Sequence, residues 1–152
     1  MDELYRTDLA LWSAQQAAAI RAAAREGSNA PVDWDNVAEE IASLGASERR
    51  TLASHITTVI EHLMKLQASP ARDPRRSWRE TVARARGDIE TILTDSPSLR
   101  REVSAIVMRQ TESARGVVRI ALEEWDEHSA ELDDLSYDAD QVLGDWFPGS
   151  EA

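Results

Sequence analysis

The residues best suited to chemistry in this sequence are Asp35, Glu39, Glu40, Glu48, His55 and His62. Inward-facing carboxylates and imidazoles build metal centres in helical bundles, so the set outlines a candidate metal or acid–base site. Spacing limits it. His55 and His62 share a helix face but stand seven residues apart, about 10.5 Å along the axis, too far to share one ion through bonds of ~2 Å. There is no Glu-x-x-His or His-x-x-x-His pair. A centre would need one histidine and carboxylates from another helix, which makes Glu39, Glu40 and His62 the candidate ligands of a divalent metal. The competing explanation is structural and preferred: acids in the first turns of a helix complement its dipole, and the histidines satisfy local hydrogen bonds. No cofactor is expected.

A second constellation is basic. Arg72, Arg75, Arg76 and Arg79, followed by Arg84 and Arg86 and interleaved with Trp78, lie beside a predicted helix N-terminus. Guanidinium forks and helix N–H groups both suit an anion, so Arg72, Arg75, Arg76 and Arg79 are the candidate anion-binding residues. The simpler account is a solvated helix face with an intramolecular partner in the acidic segment from Glu123 to Asp145. A third candidate is the aromatic pair Trp146 and Phe147 among C-terminal acids, either a clamp onto its own domain or a peg into a partner. Trp12, Trp34, Trp78 and Trp125 accompany apolar stripes and read as core or interface anchors. No catalytic triad order, phosphate-cradling glycine loop or dinucleotide fingerprint is present.

The elements positioning these residues are helices, with no alternating strand pattern between hairpin turns. Thr7 or Asp8 caps a first helix carrying Leu9, Trp12 and Ile20, which ends at Gly27. Asp33 caps a second, with Trp34, Val37, Ile41 and Leu44 at steps of three and four, and Gly45 stops it. Ser47 starts a third, whose face is Leu52, Ile56, Val59, Leu63 and Leu66, running to about Gln67 before a loop marked by Pro70 and Pro74. Ser77-Trp78-Arg79-Glu80 fits a capping box that starts a fourth helix at Trp78, with Val82, Ala85, Ile89 and Ile92 buried. Ser96 caps a long fifth with Pro97 at its first position and Leu99, Val103, Ile106, Val117, Ala121 and Trp125 as its stripe, which Gly116 could bend or break. The expectation is an all-α single domain over 1–152: an irregular up-and-down bundle of about five main helices over 1–125, and a short helical, acidic tail over 126–152 docked on it.

Several of these pieces resemble the domain-of-unknown-function 29 family, found in bacterial proteins of about this length. They are Tyr5-Arg6-Thr7-Asp8 with Trp12, Trp34-Asp35-Asn36-Val37-Ala38-Glu39-Glu40-Ile41, Ser43-Leu44-Gly45-Ala46-Ser47-Glu48-Arg49-Arg50, His62 to Gln67, Ser77-Trp78-Arg79 and Ser96-Pro97-Ser98-Leu99. The Glu-Glu-Ile and Ser-Leu-Gly block is the most distinctive. At the C-terminus the family has Pro-Tyr and Glu-Gln, where this chain has Ser136-Tyr137 and Asp140-Gln141. The resemblance implies an all-helical fold and brings no activity, substrate or catalytic residue with it.

Composition sets the remaining bounds. In 152 residues there is no cysteine, which excludes disulfides and thiolate chemistry and fits a reducing compartment. The acidic N-terminus is unlike a signal peptide, and no apolar run approaches a membrane span, so a cytoplasmic protein without membrane contact is expected. The net charge of −11 divides into −5 over residues 1–45, +5 over 46–119 and −11 over 120–152. That balance opposes general nucleic-acid binding. The leading reading is a non-enzymatic protein–protein interaction module, able to self-associate. The alternatives are a metal-dependent bundle enzyme and a binder of phosphate-bearing ligands or nucleic acid through Arg72 to Arg86.

Overall fold

The computed structural model describes residues 2–149, so residues 150–152 of the expected tail lie outside the described residues. The chain is all-α. Among the described residues six α-helices occur and no strand: α1 (Asp2–Thr7), α2 (Leu9–Arg25), α3 (Trp34–Ala68), α4 (Arg75–Asp95), α5 (Val103–Glu124) and α6 (Ala139–Leu143). Two 3-10 turns, Pro97–Glu102 and Ala130–Asp134, precede and follow α5. None of these helices is long and apolar enough to cross a membrane. The helices form two compact units, Met1–Thr51 with Thr91–Arg101 and Leu52–Glu90 with Glu102–Ala152.

In the first unit, Asp8 breaks the chain between α1 and α2. Its carboxylate accepts from the Leu11 N–H at 2.9 Å, the usual N-cap bond, and also from the Ser98 N–H at 2.7 Å and Ser98 Oγ at 2.8 Å. One buried carboxylate therefore caps a helix and anchors the turn after α4. Ser96 does not act as the expected helix cap: its buried hydroxyl accepts from the Ala10 N–H at 3.1 Å, and Pro97 opens a 3-10 turn before α5 begins at Val103. Gly27 follows α2 with φ +82°, the left-handed region glycine adopts without a Cβ penalty.

Gly45 was expected to stop a helix and instead lies inside α3, which runs unbroken for 35 residues. Packing explains the glycine. A Cβ there would lie 2.6 Å from Ser13 Oγ and 3.3 Å from the Ala10 carbonyl oxygen, so α2 and α3 touch where neither has bulk. Gly45→Ala is therefore expected to lose about 1 kcal/mol in urea unfolding: overpacking costs ~1–3 kcal/mol and outweighs the ~1 kcal/mol alanine gains in a helix. Adding Ser13→Ala should restore most of it. A stabilised single variant would refute the close contact.

The second unit holds most of the apolar core, with Leu52, Ile56, Val59, Ile60, Leu63 and Met64 of α3 fully buried. From α4 it adds Val82, Ala85 and Ile89, and from α5 Val103, Ile106, Val118 and Leu122. α4 starts at Arg75, three residues before the expected Trp78. The reason is Pro74: its carbonyl accepts from the Trp78 N–H at 3.0 Å, so the proline begins the helix, its ring already holding a helical φ. Ser77 and Glu80 then lie within the helix, where Glu80 pairs with Arg76 at 3.2 Å. α5 continues past Gly116. It ends as the Glu127 N–H donates to the Leu122 carbonyl at 2.8 Å around Asp126, at φ +60°. Two expected stripes need correction. Val37 and Leu44 flank the buried line of α3 through Ala38 and Gly45, and Val117 and Trp125 are exposed while Val118 and Leu122 point inward.

Candidate functional site

The arginine stretch does not form one cationic cluster. Arg75 reaches back to the end of α3, where Nη2 donates to the Leu66 carbonyl at 2.7 Å and Nη1 to that of Ser69 at 3.3 Å. It satisfies carbonyls that a helix terminus leaves without partners. Arg76 pairs with Glu80, and Arg72 is exposed. Arg79 places its guanidinium 4.1 Å from the centroid of the Phe147 ring, and Arg86 lies 4.8 Å from the same centroid. Arg76, Arg79, Glu80, Ala83 and Phe147 line one open hollow.

Arg86 is the centre of this arrangement. Its Nε donates to the Val142 carbonyl at 2.9 Å, and Nη2 donates to the carbonyls of Gln141 and Trp146, both at 2.7 Å. Burial lowers the pKa of this guanidinium and the nearby Asp145 opposes that shift. Arg115 repeats the device on α5, donating to the Leu132 carbonyl at 3.1 Å and the Leu135 carbonyl at 2.8 Å. An intramolecular partner for the arginines was expected among the tail's carboxylates. Main-chain carbonyls and an aromatic face fill much of that role, beside the ion pair of Arg119 with Asp133.

Trp146 and Phe147 are half-buried. The Trp146 ring lies 6.1 Å from that of Tyr137, itself buried, with its hydroxyl donating to Gln67 Oε1. Burial raises the Tyr137 pKa and keeps the phenol neutral. Asp138 and Gln141 form a reciprocal capping box on α6. Trp78 is buried and stacks on Trp125, with ring centroids 5.9 Å apart, and Lys65 lies over the Trp125 ring.

The metal candidates fall in different units, Glu39 and Glu40 in the first and His62 in the second. Glu39 is exposed and sits 3.5 Å from Arg21, Glu40 is exposed, and His62 has Nδ1 2.8 Å from the Thr58 carbonyl of its own helix. Burial lowers the His62 pKa and favours the neutral ring, so Nδ1–H donates to that carbonyl. His55 Nδ1 lies 3.9 Å from Asp88. Among the described residues no group of three or more histidines and acids could hold a metal ion.

Val117, expected on the buried stripe, lies on the outside of α5 together with Ile120. Ile120 is 60 % exposed and Val117 48 % exposed, one turn apart with Gly116 and Ser113 beside them. A clue was present in Val117 and Val118: either fits a helical stripe, and Leu122, four residues beyond Val118, selects the second.

The family model described as a domain of unknown function, DUF29, matches residues 4–147. The chain belongs to the DUF29 family. A solved structure of an α-helical protein of unknown function from Rhodospirillum rubrum is similar to this DUF29 chain at 24 % identity, with a TM-score of 0.66 over 95 % of this chain and 98 % of that one. The likeness is one of fold. No protein of curated function matches this DUF29 member.

Proposed function

We propose that this DUF29 chain is a non-enzymatic protein–protein interaction module of the cytoplasm, and that its contact surface is the outer face of α5. The observation that carries this reading is the exposure of Ile120 and Val117, 60 % and 48 %, next to each other on one ridge. Single exposed aliphatic residues are ordinary, but adjacent ones beside residues without bulk form a ridge that gains from being covered. Burying two such side chains contributes on the order of 3 kcal/mol, enough to decide whether a modest interface forms. The arginines speak for the same reading, because Arg75, Arg79 and Arg86 already serve helix ends and the C-terminal segment.

The test is the full chain against Val117→Glu/Ile120→Glu. Both positions are exposed, so circular dichroism should stay unchanged and the melting temperature should move little. Proteins captured on the native chain, further copies of the chain included, should be lost from the variant. Identical capture by both would remove the reading.

A further inference from the structure

Six residues lie along one side of the solvent-facing surface of α5, with the exposed Glu112, Arg119 and Glu123 beside them: Arg109, Ser113, Gly116, Val117, Ile120 and Glu124. At ~100° per residue they fall within an arc of about 100°. Their separations are four, three, one, three and four residues, the same read in either direction. Two copies of that ridge match each other when the helices run antiparallel about a two-fold axis passing between Gly116 and Val117. Arg109 then meets Glu124 of the second copy, Ser113 meets Ile120, and Gly116 meets Val117. Opposite charges close both ends of the seam, and each apolar side chain faces a residue with little or no side chain. Parallel pairing would instead set Arg109 against Arg109 and Glu124 against Glu124.

Gly116 supports the same geometry. Glycine within a helix lowers stability relative to alanine, yet a Cβ at this position would meet nothing within 4 Å in its own chain. In an antiparallel pair its lack of a side chain makes room for Val117 of the second copy and lets the two axes approach closely. We infer that the partner of this face is a second copy of the same chain, paired antiparallel through α5 as an isologous dimer. This rests on the interaction reading above and names its partner. The seam is one helix long, about 22 Å from Arg109 to Glu124 at ~1.5 Å per residue, so the dimer is dissociable and concentration-dependent.

The chain contains no cysteine, so an introduced one is the only thiol. Val117→Cys, adjacent to the axis, should cross-link to itself through a short bis-maleimide. Arg109→Cys, about 22 Å from its symmetry mate, should not, whereas Arg109→Cys mixed with Glu124→Cys should give the mixed dimer. In sedimentation equilibrium of the full chain the average mass should rise with concentration from one chain towards two. Val117→Glu/Ile120→Glu should stay monomeric, Arg109→Glu and Glu124→Arg should each weaken the dimer several-fold, and the double swap should restore it. Self-cross-linking of Arg109→Cys as strong as that of Val117→Cys would overturn the antiparallel arrangement. A chain monomeric throughout overturns the second-copy partner. In that case, capture of another protein by the native chain and not by Val117→Glu/Ile120→Glu leaves the interaction reading standing, and equal capture by both removes it as well.

Discussion

Arg86→Ala is expected to release the segment from Ala139 to Phe147 while most of the second unit stays folded. Three hydrogen bonds from one guanidinium end on the carbonyls of Gln141, Val142 and Trp146, and Phe147 rests on the same cation. Hydrogen bonds from a charged donor contribute roughly 1.5–3 kcal/mol each when separate, and less when one half-buried group makes several, so the loss should be about 3 kcal/mol. Amide hydrogen exchange across 139–147 should accelerate roughly hundredfold, with the buried part of α3 little affected. Arg86→Lys keeps the charge and loses the planar fork, so it should recover only part of the protection. Exchange unchanged in the alanine variant would mean that Val142 and the aromatic contacts hold the segment without the arginine.

Asp8→Ala should have its effect in the first unit. The substitution removes the N-cap of α2 and leaves the Ser98 N–H without its acceptor at a site where Asp8 is only 7 % exposed. A lost cap costs about 1 kcal/mol and an unsatisfied buried donor about 1–3 kcal/mol, giving about 3 kcal/mol together. For a chain of this length that is a fall of about 9 °C in melting temperature. Asp8→Asn should fall in between, since its amide N–H₂ must face one donor that the carboxylate oxygen accepted. A melting temperature within about 2 °C of the native value for the alanine variant would show that water or a shifted backbone replaces the carboxylate.

The all-α class was legible because apolar residues recur at helical steps from Leu52 to Leu66 and from Val82 to Ile92, and those stretches are buried. Helix boundaries were less legible where one residue serves two purposes. Gly45 carries a stop signal in sequence, but α3 is continuous there and the glycine instead makes room for Ser13 and Ala10, more than 30 residues away in the chain. Pro74 reads as a loop residue until its carbonyl is seen accepting the first helical bond of α4. For the candidate sites, the arginine stretch that includes Arg79 and Arg86 and the tail with Trp146 and Phe147 stood out in the sequence, while Arg115 did not. How they meet was not legible, because carbonyl acceptors occur at every residue and leave no mark in composition. The α5 face was misread for a different reason: with two consecutive valines, a stripe traced through Val117 is as regular as the buried one through Val118.

The manner in which the C-terminal segment is held bears on how it can vary. Arg86 and Arg115 grip the main chain at Leu132, Leu135, Gln141, Val142 and Trp146, and a main-chain carbonyl is the same whatever side chain it carries. Apart from the buried Leu132, Tyr137 and Val142, side chains in the segment are exempt from maintaining its attachment through these bonds. Anchoring and surface charge are thereby decoupled. Acids can replace exposed side chains within residues 126–145 without removing these bonds, whereas the two arginines have no equivalent among the other amino acids.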